Sequence, residues 1–235
     1  MEEKLMNNYA RLVKYLRGYI HRDGIENLIA WLDTTDIATA PATTKYYRSY
    51  QGGLVDHLLA VFTRMHNLIR MDFADEEGNI PFSKESIAIV ALLHDLDKVN
   101  KYSVMTRNKK DENGNWYQEE YFGVANADNP AFATPSEYSL MLLNSFIPNL
   151  TMEERLAILH VSGGVWDNDN SSTYRAVGAY QYCPIAYYLH EADFYDMVRS
   201  NTVAPSNPII VLNYNAFMEK DNEESEEESE NGKQA

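Results

Sequence analysis

The chain has 235 residues, 45% of them apolar, and carries 20 Lys+Arg against 35 Asp+Glu for a formal charge of −15. That length supplies one compact domain, or two small ones, with ample material for a core, while a single cysteine, Cys183, excludes a disulfide framework and any cysteine-based zinc site. The acidic balance argues against a protein that grips long nucleic acid through its phosphates. No run approaches the roughly 18 apolar residues of a membrane span, and the MEEKL start is acidic, so a soluble, cytoplasmic protein is expected.

Residues 4–20 place Leu5, Tyr9, Leu12, Val13, Leu16 and Ile20 at three- and four-residue steps, which predicts an amphipathic helix. A shorter helix is expected over 25–33, and 34–53 (TTDIATAPATTKYYRSYQGG) has no period and reads as a loop. From Leu54 to about Met71 a helix sets Leu58, Val61, Phe62, Met65 and Leu68 on one side. Ser83 and Ser86 offer N-cap chemistry for an apolar helix, SIAIVALLHDLDK, over about Lys84–Val99. Lys101–Arg107 and Trp116–Val124 then flank Asn113-Gly114, a strong hairpin dipeptide. Helices resume at Ser136–Phe146, at Thr151–Val161 behind a Thr151/Glu154 capping box, and at Pro184–Arg199. The stretch 162–181, rich in Gly, Asn and Ser, reads as a long loop. The expected fold class is all-α, a helical bundle with one hairpin inserted at about 101–124, in a single domain over 1–216. An acidic tail follows over 217–235. Residues 219–235 hold eight acidic side chains against two lysines, −6 of the −15, with no aromatic, and are expected to be disordered.

The chemistry concentrates in a few polar residues set among apolar ones. His94-Asp95 interrupts ALLHDLDK, and burying an imidazole and a carboxylate together is costly unless something pairs them. A metal ion would do so, with ligands from other helices, because neighbours on a helix diverge by about 100°. His57, after a double glycine in GGLVDH, and Asp193, in YYLHEADFYD, are the candidates. His66 lies nine residues beyond His57 and is read as structural, His21 as a surface residue. His190 reads as a packed core residue, with orientation of Asp193 as the sharper alternative. The Tyr46-Tyr47-Arg48-Ser49-Tyr50 run and Trp166 read first as edges of the core, which are commoner than base platforms, with stacking on a nucleobase as the sharper alternative.

In this order the motifs resemble those of the HD-domain metal-dependent phosphohydrolases: a histidine, a His-Asp pair and a distal aspartate, here GGLVDH, ALLHDLDK and IAYYLHEAD. A bacterial and phage branch of that superfamily is closer still. It is matched by Pro41-Ala42-Thr43-Thr44-Lys45-Tyr46, by the Thr106-Arg107-Asn108 hairpin with Trp116, and by Phe146-Ile147-Pro148 through His160, so that the likeness spans about 40–200. The resemblance implies metal ligation by His57, His94, Asp95 and Asp193, one divalent transition metal (Mn, Fe, Co, Ni or Zn), and hydrolysis of a phosphoester or phosphoanhydride in a small substrate of the nucleotide class. Asp95, Lys98 and Asp97 become candidate catalytic residues, and Arg107, Lys98, His160 and Tyr46 candidate substrate contacts. Asp97 stands where relatives often have a small residue. Thr134-Pro135-Ser136-Glu137 replaces a His-Gly-Glu-like motif that helps to hold a second metal, which favours one ion. The alternative is a decayed HD fold that captures a nucleotide or protein partner without turnover.

Overall fold

The computed structural model describes residues 2–124, 133–163 and 170–200. The described residues belong to one compact unit; residues 201–235, with the acidic tail expected over 217–235, lie outside the described residues, as does Trp166. Eight helices and one hairpin make up the described part: α1 (Glu2–Tyr19), α2 (Ile25–Leu32), α3 (Gly53–Phe73), α4 (Lys84–Leu93), β1 (Tyr102–Lys110), β2 (Trp116–Val124), α5 (Pro135–Phe146), α6 (Met152–Leu159), α7 (Asn170–Tyr182) and α8 (Pro184–Arg199). The architecture is therefore mostly helical with one inserted antiparallel pair, as the periodicities predict. Among the described residues no helix is long and apolar enough to cross a membrane.

At the centre is α4, whose residues Ile87 to Leu93 are all buried. It packs against α1, α3, α6 and α8. Each buried Ile, Val or Leu contributes about 1.5–3 kcal/mol of apolar transfer, so a helix with no polar face over these seven residues can only sit inside a bundle. Ser83 starts it, its Oγ accepting the Ser86 N–H. The stripes read in the sequence are the buried ones: Leu12 and Leu16 on α1, and Leu58, Val61, Phe62, Met65 and Leu68 on α3. Arg22 ties α6 to the start of α2 by donating two hydrogen bonds to the carboxylate of the fully buried Glu154, at 2.7 and 2.7 Å.

Two expectations need correction. The helix predicted over Lys84–Val99 stops at Leu93; Asp95 leaves helical geometry (φ −110, ψ 30), and Leu96–Lys98 form a single 3₁₀ turn. The segment read as a loop over 162–181 contains α7. Gly, Ser and Asn weaken a helix by less than about 1 kcal/mol each, and here Ala176 and Ala179, three apart and buried, let α7 dock on α8. Tertiary packing outweighs local propensity in that stretch. The hairpin pairs Tyr102 with Val124 through Lys110 with Trp116, and its outer half is exposed.

Candidate metal centre

The glycine pair at the start of α3 fixes the first ligand. Gly52 is left-handed (φ 80), and a Cβ on Gly53 would lie 2.0 Å from the Arg48 carbonyl oxygen. Only glycine lets the loop carrying Tyr47 and Arg48 lie directly on the helix start. One turn on, His57 is fully buried. His94 caps the C-terminal end of α4, and the backbone break after it turns Asp95 back toward the same point. The 100° divergence expected of a continuous helix does not apply, because the helix ends between the two residues. Asp193 arrives from the buried face of α8.

These side chains converge. One donor atom from each of His57, His94 and Asp193 lies within 4.8 Å of the others. His57 Nε2 is 3.0 Å from Asp193 Oδ1 and 3.3 Å from Asp95 Oδ2, while His94 Nε2 is 3.7 and 3.5 Å from the same two atoms. Donors held at about 2.1 Å from one ion, at angles of 90–110°, are separated by roughly 3.0–3.4 Å. The two His57 distances fall in that range and the two His94 distances lie a little beyond it; His57, His94 and Asp193 are close enough together to hold one ion, with Asp95 Oδ2 beside them.

The back edges of the two imidazoles fix their tautomers. His94 Nδ1 lies 3.1 Å from the Ala91 carbonyl, which can only accept, so Nδ1 carries the proton. His57 Nδ1 donates at 2.8 Å to Asp196 Oδ2, a carboxylate that Arg48 grips bidentately at 2.7 and 2.6 Å. Both Nε2 lone pairs are thus presented to the centre. Neither Nε2 has a hydrogen-bond partner among the described residues, although both are buried. Two orphaned nitrogens aimed at one place, each braced from behind, is the arrangement a cation requires.

Charge says the same. Asp95, Asp97, Asp193 and Asp196 face Lys98, Lys101 and Arg48, which leaves one negative charge unmatched when both imidazoles are neutral. With no cation bound, a proton takes that role: burial disfavours the charged His57 ring, but Asp193, Asp196 and Asp95 outweigh it and raise the ring to about 10. Burial likewise pushes Asp193 and Asp95 up, and is outweighed by the histidines for Asp193 and by Lys98, His94 and His57 for Asp95, so both lie well below the usual carboxylate range.

A cleft of about 410 Å³ opens onto Asp95 and Asp193, with Lys98, Lys101, Tyr46, Tyr47 and Phe194 among its walls. Lys98 Nζ donates to Asp95 Oδ2 at 2.5 Å and to Tyr47 Oη at 2.9 Å. Asp97 is held deeper, taking Lys101 Nζ at 2.6 Å and the Ser139 hydroxyl at 3.1 Å; burial and then the Asp95 charge push its carboxyl up. Arg107 is not brought to this cleft: it lines a different one, pairs with Glu119 and lies over the Tyr121 ring. His160 ends α6, where its carbonyl accepts the Tyr180 hydroxyl, and it does not line the cleft. His190 is a packed residue, as read, stacked on Tyr180 with Nδ1 on the Val161 carbonyl. At residue 134 the structure has a complete capping box, Thr134 with Glu137, which starts α5.

Asp196 and Arg48 were not anticipated as parts of the centre. The signal for Asp196 was its place three residues after Asp193, on the same buried face of α8; nothing local pointed to Arg48, whose left-handed backbone (φ 44) shows only in the fold. Comparison with models of known protein families, with curated proteins and with solved structures finds no match to this chain.

Proposed function

We propose that this chain is a metal-dependent phosphohydrolase of the HD type, acting on a phosphoester or phosphoanhydride in a small substrate of the nucleotide class. The observation that carries the reading is the pair of buried Nε2 atoms of His57 and His94, which have no hydrogen-bond partner among the described residues and face Asp193 and Asp95 at the floor of a cleft. His57, His94, Asp193 and Asp95 would hold one divalent transition metal, which supplies a Lewis acid and a lowered pKa for a water beside it. Two imidazoles and two carboxylates suit Mn²⁺, Fe²⁺, Co²⁺, Ni²⁺ or Zn²⁺ and leave positions open. The protein's own contributions follow from position. Lys98, on the cleft wall beside Asp95, offsets phosphoryl charge and holds Asp95 in place. Lys101 adds a second positive charge at the same wall, with Asp97 as its anchor. Tyr46 and Phe194 give apolar surface for the rest of the substrate. The Thr134 capping box, at the place where the resemblance implies a further histidine, supports a single ion and also motivates a second reading, capture of a nucleotide without turnover.

The test is direct. Full-length protein supplied with Mn²⁺, Co²⁺ or Ni²⁺ is expected to release phosphate or nucleoside from at least one member of a nucleotide panel, and Asp95→Ala to abolish the release. Stoichiometric metal with no turnover across the panel would replace this reading with capture, and failure to bind metal would remove both.

A further inference from the structure

A second cleft lies on the other edge of His57. Four of the chain's ten arginines line it: Arg11 from α1, Arg48 from the loop, Arg64 from α3 and Arg199 at the end of α8. Its volume is about 550 Å³. In a chain of net charge −15 such a concentration is unexpected, and the acids in the same cleft do not neutralise it. Asp196 already takes Arg48 and His57. Asp56 accepts Asn8 Nδ2 at 2.6 Å and the Tyr50 hydroxyl at 2.9 Å. Among the lining residues, four guanidiniums against two occupied carboxylates leave a surplus of two positive charges, which Glu191, 3.6 Å from Arg64, offsets in part.

The guanidiniums are also arranged rather than scattered. Tyr195 orders two of them: Arg64 lies over its ring at 4.3 Å, and Arg199 Nη1 donates to its hydroxyl at 2.9 Å. Arg11 is steadied by Tyr15, through ring and hydroxyl. Stacking on an aromatic uses the face of a guanidinium and leaves its N–H edge for another partner. Arg11 and Arg199 pair with no carboxylate among the described residues, and Arg64 has only a long contact to Glu191 at 3.6 Å. Arg64 Nε, moreover, is buried with no hydrogen-bond partner among them.

We propose that this cleft is an anion site for an oligophosphate chain, separate from the metal centre and read by Arg11, Arg64 and Arg199. Planar forks from three different helices match the tetrahedral oxygens of linked phosphates, and a multiply charged anion is what a cleft with this surplus favours. Arg48 links the two sites, since it lines this cleft and holds Asp196 behind His57.

The experiment is calorimetric titration of the full-length protein with inorganic tripolyphosphate at low ionic strength in the presence of a chelator. Saturable binding of about one tripolyphosphate per chain is expected, weakened roughly tenfold by Arg11→Gln or Arg199→Gln, both at exposed positions, and weakened by added salt. Arg11→Lys and Arg199→Lys should retain part of the affinity, and His94→Ala, which removes a metal ligand, should retain all of it. A nucleoside triphosphate binding no tighter than tripolyphosphate assigns the site to the free chain; a roughly tenfold preference assigns it to a nucleotide. The proposal is overturned if tripolyphosphate does not saturate the protein at millimolar concentration, if the Arg11→Gln/Arg199→Gln double variant binds as the native chain does, or if Lys98→Gln removes binding while the arginine variants keep it.

Discussion

Asp196→Asn tests whether the brace behind His57 matters to the metal centre. The substitution keeps size and shape but removes the charge, and the amide has one acceptor where the carboxylate serves two partners: His57 Nδ1 at 2.8 Å and the Arg48 fork at 2.7 and 2.6 Å. If the amide oxygen stays on His57, its NH₂ group abuts the half-buried Arg48; if it turns, Nδ1 loses its acceptor and the ring its orientation. Loss of a hydrogen bond to a charged group costs about 1.5–3 kcal/mol, and the outer partners of metal-binding histidines are typically worth about 10–100-fold in affinity, or ~1.4–2.8 kcal/mol. The two routes agree. Titration of native and variant protein with Mn²⁺ or Co²⁺ against a fluorescent chelator is expected to show a loss in that range, with helical circular dichroism retained. Asp56→Asn, at 4.0 Å from Arg48 and outside the His57 contact, should change affinity less than about threefold. An Asp196→Asn variant that folds and binds metal within about twofold of the native chain would refute the tautomer argument.

Further outcomes follow from the same geometry. Glu154→Gln leaves Arg22 without its buried carboxylate and is expected to cost about 3–5 kcal/mol in urea unfolding; a change under about 1 kcal/mol would mean that the pair is not clamped as described. Gly53→Ala drives a Cβ against the Arg48 carbonyl, so stability should fall by about 1–3 kcal/mol and metal affinity should weaken with it, since the displaced loop holds Asp196; an unchanged denaturation midpoint would contradict this. In chelator, the His57 ring is raised from 6.5 to about 10 in the folded chain. The stability this supplies is complete below about pH 6.5 and is lost as pH rises through about 10, so thermal midpoints measured from pH 6 to 10 should decline. Saturating Mn²⁺ should flatten that decline, because the ring is then held neutral; a flat profile in chelator would count against the charge balance drawn for the centre.

Much of the architecture was readable from local signals because those signals act locally. The Leu58, Val61, Phe62, Met65 and Leu68 stripe, the Ser83 and Thr151 caps and the Asn113-Gly114 turn each determine their own few residues, and each sits where expected. Three of the ligands proposed for the centre were legible for a related reason: His57, His94 and Asp193 stand among apolar neighbours in GGLVDH, ALLHDLDK and IAYYLHEAD, each is buried, and the fold brings them together. What local patterns did not convey depends on contacts distant in sequence. The end of α4 at Leu93 follows from its surroundings, since ALLHDLDK taken alone continues the helical period. The helix α7 forms because Ala176 and Ala179 find α8, despite a glycine- and serine-rich composition. Arg48 reaches Asp196 across 148 residues, and no spacing rule reports such a pair. Arg107 shows the converse: a hairpin arginine looked able to reach the centre, but the pair carries it to another cleft, where Glu119 satisfies it.

The central claim is that His57, His94, Asp193 and Asp95 enclose one cation, and metal uptake tests it most directly. Full-length protein, stripped by chelator and reloaded with Mn²⁺ or Co²⁺, is expected to take up about one ion per chain by elemental analysis. His57→Ala, His94→Ala and Asp193→Ala should each weaken that uptake by at least about 100-fold while retaining helical content. A native chain that takes up no ion, or three variants that load as fully as the native chain, would contradict the account.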